Sequence, residues 1–167
     1  MTPRPPYLIF LLIALAVVGC SRQTDEPTSE PSSLERPNIL LIVVDDVGYS
    51  DLGAFGSEIE TPNIDALASE GMMLTQFHVF PNCGPTRGSM MTGVDPHRAG
   101  MGGNHGVNAA NQEGQAGYEG HLRKDVVTIA ELLQDVGYHT YMTGKWHLGK
   151  DENNPAERGF EKSFALL

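Results

Sequence analysis

The chain has 167 residues, 40% of them hydrophobic and 7% aromatic, and a formal net charge of −10. That is ordinary globular composition, with enough apolar material for one modest core. Eleven Lys and Arg against 21 Asp and Glu argue against a polyanion-binding role, nucleic acid included, so any positive charge the chemistry needs has to be local.

In chain order, Arg4 precedes an apolar run over residues 7–18 that is short for a membrane span and has the charged start and small-residue end of an export signal. It closes on Val17-Val18-Gly19-Cys20, which resembles a bacterial lipoprotein cleavage box. The expectation is a signal peptide over 1–19 and a lipidated Cys20 at the mature N-terminus, with an uncleaved signal anchor as the alternative. A lipid anchor there implies an exported protein, periplasmic or at the cell surface, attached to the outer membrane where the host has one. Residues 20–36 are polar and proline-rich and read as a disordered tether behind the lipidated cysteine.

Residues 37–167 read as one α/β unit. Ile39-Leu40-Leu41-Ile42-Val43-Val44 is an unbroken apolar, β-branched run, predicted to be a central parallel strand covered on both faces. It leads into Asp45-Asp46. Beyond the carboxyl end of such a strand, two acids suit a hard cation, Ca²⁺ or Mg²⁺, although acids before Gly48 also serve as turn formers. Thr61 and Pro62 start a helix with Ile64, Leu67 and Ala68 on one face and Gly71 at its end. Residues 72–80 read as a strand leading towards Cys83.

Cys83-Gly84-Pro85-Thr86-Arg87 places a sulfur at a helix start, with Pro85 suited to the first helical position and a guanidinium close by. Helix-end amides and an arginine together stabilise a thiolate, a developing oxyanion or a tetrahedral anion. A lone cysteine is otherwise simply a small hydrophobe. The glycine- and asparagine-rich stretch from Asp95 to His121 has no periodicity and reads as a long functional or mobile loop, with His97, His105 and His121 on the surface. A helix from about Asp125 to Gly137 and a strand over 138–143 follow, releasing Gly144-Lys145-Trp146-His147. Alternation on an extended backbone points Lys145 and His147 into one pocket and Trp146 the other way.

The Cys83-x-Pro85-x-Arg87 motif with Thr92-Gly93, the strand ending in Asp45-Asp46, Thr61-Pro62-Asn63-Ile64-Asp65, and Thr143-Gly144-Lys145-Trp146-His147-Leu148-Gly149 together resemble the sulfatases of arylsulfatase type. Thr86 keeps the hydroxyl of the serine most common there. The resemblance runs from Arg36 to Leu167 and implies an alkaline-phosphatase-like fold, with a largely parallel sheet flanked by helices. It also implies formylglycine made from Cys83 by a formylglycine-generating or anaerobic sulfatase-maturating enzyme. It gives Asp45, Asp46 and residue 83 as ligands of Ca²⁺ (Mg²⁺ being possible), and Arg87, Lys145 and His147 as the residues around the nucleophile, acting on a sulfate ester. With Cys20 acylated and Cys83 oxidised, no thiol is left for a disulfide. Further ligands and catalytic groups are expected in a later part of such proteins. The chain therefore reads as an N-terminal portion, inactive alone, with an unpaired strand near Tyr141. Phosphonate monoester or phosphodiester hydrolysis, and a noncatalytic surface lipoprotein, are the alternatives.

Overall fold

A computed structural model describes residues 36–167. The signal and tether, Cys20 included, lie outside the described residues. The chain divides into two units, Met1–Val43 and Val44–Leu167. In the first, residues 36–43 belong to no helix or strand, and Ile39, Leu40, Leu41 and Ile42 are each between 55% and 83% exposed. This corrects the expectation of a covered central strand. A parallel strand is stabilised only when neighbours pair its edges and helices cover its faces, and the described sheet has two strands, neither drawn from 39–44.

The second unit begins with two short 3₁₀ turns, Tyr49–Asp51 and Gly53–Phe55, followed by helix α1, Pro62–Glu70. The predicted helix is present, but the Thr61 hydroxyl does not cap it. It accepts the Gly53 N–H at 2.8 Å and donates to Asp65 Oδ1 at 2.8 Å, while the same oxygen takes the Ala54 N–H at 2.7 Å. These bonds tie the turn to the helix start. Ile64 and Leu67 remain exposed, as do residues 72–80, which contain a turn at 75–76 and no strand pairing rather than forming the expected strand.

Helix α2, Cys83–Thr92, starts at the cysteine itself. Pro85 is thus its third residue and not its first, which is tolerated because the first four N–H groups of a helix have no intrahelical acceptor. Gly93 closes it at φ 70° with its N–H on Ser89 O. Helix α3, Ile129–Asp135, begins later than the apolar stripe suggests. Thr128 is the reason: its Oγ1 accepts the Glu131 N–H at 3.2 Å while Glu131 Oε2 accepts the Thr128 N–H at 2.6 Å, a reciprocal cap. Strand β1, Tyr141–Lys145, then pairs in parallel with β2, Lys162–Leu166, from Tyr141 opposite Lys162 to Lys145 opposite Leu166. The strand at Tyr141 therefore has a partner on one edge, where none was expected.

Burial centres on Ala99, Met101, Leu122, Trp146 and Leu148, with Met91, Val126, Met142 and Phe160 packed around them. Two of these five, Ala99 and Met101, come from the segment read as a loop, and Leu122 directly follows it. It is held by backbone bonds from Gly102 N to Gly117 O (2.7 Å), Arg123 N to Ala99 O (3.0 Å) and Leu122 N to Leu148 O (2.9 Å). At Gly100, with φ 86°, a Cβ would meet the His121 carbonyl at 2.5 Å, so the close chain crossing requires glycine. Trp146 donates its indole N–H to Asn153 O at 2.7 Å and meets Phe160 edge-on. The Arg158 guanidinium, 4% exposed, donates to the carbonyls of Arg123 and Val126.

Candidate active site

Three segments distant in sequence converge on Cys83. Helix α2 presents the half-buried sulfur in its first turn. The turn after β1 brings His147, whose Nδ1 lies 3.2 Å from Sγ. The loop before α3 brings Asn104, whose Oδ1 accepts the Gly84 N–H at 2.9 Å. His147 departs from the extended geometry expected of it, since its φ is 60°. The alternation argument still gives the right sides: Lys145 and His147 point to the site, and Trp146 is 2% exposed in the core.

Arg87 is almost wholly buried, and its Nη1 donates to the Lys145 carbonyl at 2.6 Å while Nη2 stands 3.6 Å from Asp45 Oδ1. Lys145 Nζ reaches both Asp45 oxygens, at 3.0 and 3.1 Å. The Lys145 bond and charge, with Arg87 behind them, hold the Asp45 carboxyl below the usual range against a smaller opposing effect of desolvation. In return the Asp45 contact raises the Lys145 ammonium pKa against a smaller opposing effect of desolvation. Burial, then the charges of Lys145 and Arg87, push His147 down despite the opposing pull of Asp45. The imidazole beside the sulfur is therefore neutral at neutral pH.

Among the described residues no group of three or more His, Cys, Asp or Glu is placed to hold a metal ion. The Asp45 oxygens are turned to Lys145 instead, and Asp46 sits in the left-handed region at φ 58°. Two adjacent carboxylates have the donor chemistry of a hard divalent cation, but they fill only part of a shell of about six to eight oxygens. Of the loop histidines, His105 and His121 line a cavity of about 660 Å³ shared with His147, Lys150, Asp151 and Asn153. His97 is elsewhere, against the Tyr118 hydroxyl at 3.0 Å. Asn104 was missed by the sequence reading because nothing in its neighbourhood has a period or a spacing.

Residues 37–167 match the family model described as Sulfatase. The chain belongs to the sulfatase family. It is 48% identical over 137 residues to an uncharacterised sulfatase of Schizosaccharomyces pombe, covering 80% of this chain and 25% of that protein. With the arylsulfatase of Klebsiella aerogenes it shares 44% over 134 residues, 80% of this chain and 28% of the other. Among solved structures, Ps i-CgsB superposes with a TM-score of 0.63 at 36% identity, over 80% of this chain and 28% of that one. The alkaline-phosphatase-like α/β fold implied by the motifs is therefore the fold of this sulfatase-family chain, present in part. The chain spans about a quarter of the length of the relatives it matches.

Proposed function

We propose that this chain carries the nucleophile side of a sulfuric ester hydrolase of arylsulfatase type. The observation that supports it is the meeting of Cys83, at a helix start, with a neutral histidine and a Lys145–Asp45–Arg87 charge group. Oxidised to formylglycine by a maturation enzyme, Cys83 supplies an aldehyde hydrate as the nucleophile, and a divalent cation, Ca²⁺ in this reading, supplies charge compensation for the sulfate. Asp45 and Asp46 are the residues of this chain that would hold that cation.

The chain's own groups divide the remaining work. The neutral His147 Nδ1 is placed to hold or accept a proton at residue 83, which is what a nucleophile of weak acidity needs. Lys145, drawn close by Asp45, keeps a fixed positive charge near the same atom, where a sulfate oxygen gains negative charge. Arg87 acts through the others, since its hydrogen bond goes to the Lys145 carbonyl and its charge to Asp45.

Export and lipid attachment at Cys20, with the periplasm or cell surface as the working place, belong to the same proposal and are supported by the sequence before residue 36. The test is expression of the full protein with a maturation enzyme in a host that processes lipoproteins. We expect formylglycine at residue 83 by peptide mass spectrometry, fatty-acid label that vanishes in Cys20→Ala, and Ca²⁺-dependent hydrolysis of an aryl sulfate in preference to an aryl phosphodiester. An intact thiol at residue 83, or preference for the phosphodiester, would refute the sulfatase activity.

A further inference from the structure

We infer that Asn104 is a positioning residue for the reactive side chain at residue 83, with its Oδ1 fixed by the Gly84 N–H and its amide nitrogen thereby turned to donate to that side chain. The Gly84 N–H is one of the donors in the first turn of α2 that no helical carbonyl can satisfy. It finds Asn104 Oδ1 at 2.9 Å. A backbone N–H requires an acceptor, so this bond decides which end of the carboxamide faces the helix and leaves the NH₂ group for the nucleophile. Nδ2 lies 3.8 Å from Cys83 Sγ, a long contact suited to sulfur, and Oδ1 stands slightly farther from it at 4.0 Å.

The approach is built into the packing on both sides. A Cβ on residue 84 would stand 2.5 Å from Asn104 Oδ1 and 2.9 Å from Met101 Cε, so only glycine there admits the amide. Asn104 follows closely on the fully buried Met101, and its carbonyl accepts the Val107 N–H at 3.2 Å, which fixes the backbone that carries it. The two side chains meeting residue 83 are thus complementary. His147 can give or take a proton, whereas the Asn104 NH₂ can only donate and so favours whatever at residue 83 offers a lone pair or a negative charge. The inference rests on the sulfatase reading only for the group that stands at residue 83 after maturation.

The test therefore uses the unconverted thiol of the full protein, made without a maturation enzyme, so that its failure is separate from any failure of sulfatase activity. Asn104→Asp keeps an oxygen for the Gly84 N–H at a helix start that welcomes a carboxylate, and has no N–H to give. Asn104→Ala removes both. Iodoacetamide alkylation is followed at the Cys83 peptide at neutral pH in 1 M salt, where a Debye length of about 3 Å screens the added charge. Thiolate ultraviolet absorbance and the melting temperature are recorded beside it. The expected result is a wild-type melting temperature for Asn104→Asp with alkylation about tenfold slower in both variants, as the loss of one charge-assisted hydrogen bond predicts. Wild-type alkylation and absorbance in Asn104→Asp would overturn the inference and leave Asn104 as a cap. Should Asn104→Asp not fold, wild-type alkylation in Asn104→Ala overturns it equally.

Discussion

Residues 72–80 read as a strand and form none, with Phe77 71% exposed, while the stretch from Pro96 to Leu122, glycine-rich and without periodicity, supplies three fully buried side chains to the core. The more apolar of the two is the less buried. Burial depends on the supply of partners: Met101 and Leu122 meet Trp146 and Leu148 within this chain, whereas the surfaces of α1 and of residues 72–80 meet nothing described that covers them. Side-chain type states only an appetite for burial.

The largest test of that contrast is truncation in each region. Trp146→Ala should cost about 3–5 kcal/mol of unfolding free energy, because a ring 2% exposed leaves a cavity and orphans the Asn153 carbonyl. Phe77→Ala should change it by about 0.5 kcal/mol or less. Urea unfolding followed by circular dichroism measures both, and comparable losses would erase the distinction between the regions. Two threonines sharpen it at smaller scale. Thr128→Ala removes a buried cap that also donates to the Arg158 carbonyl, and should cost about 1–2 kcal/mol. Thr61→Ala loses two part-buried bonds at a half-buried site that water can reach and should cost about 0.5–1 kcal/mol.

The smallest effect is a titration inside the site. NMR should place the His147 midpoint below the ordinary value of about 6.5, and Lys145→Gln should raise it only part of the way, since burial is the larger cause. The folded state disfavours the charged ring, so its contribution to stability is full above about pH 6.5 and is lost as pH falls through the folded midpoint. A midpoint at or above the ordinary value in the native protein would show that the ring is not held as described.

The same contrast explains what could be read from the sequence. Cys83, Lys145 and His147 were legible because helix starts and strand alternation are local rules, and those rules fix which way a side chain points before any packing is known. Asp45 was legible as an acid at the site, but its engagement by Lys145, one hundred residues away, was not. Asn104 and the buried face of its segment were invisible, because long-range backbone bonds such as Gly102 to Gly117 place them and no periodicity announces these. Residues 39–44 failed in the opposite sense: strand composition was present and a strand partner was not.

The bond from buried Arg87 to the Lys145 carbonyl joins the helix that carries residue 83 to the strand end that carries Lys145 and His147. Because the two are fastened to each other through one guanidinium, they travel together whatever surrounds them. The neighbouring cavity at His121, Lys150 and Asp151 is lined by His147 as well, so a change to its walls acts on a surface that this fastened pair already helps to form.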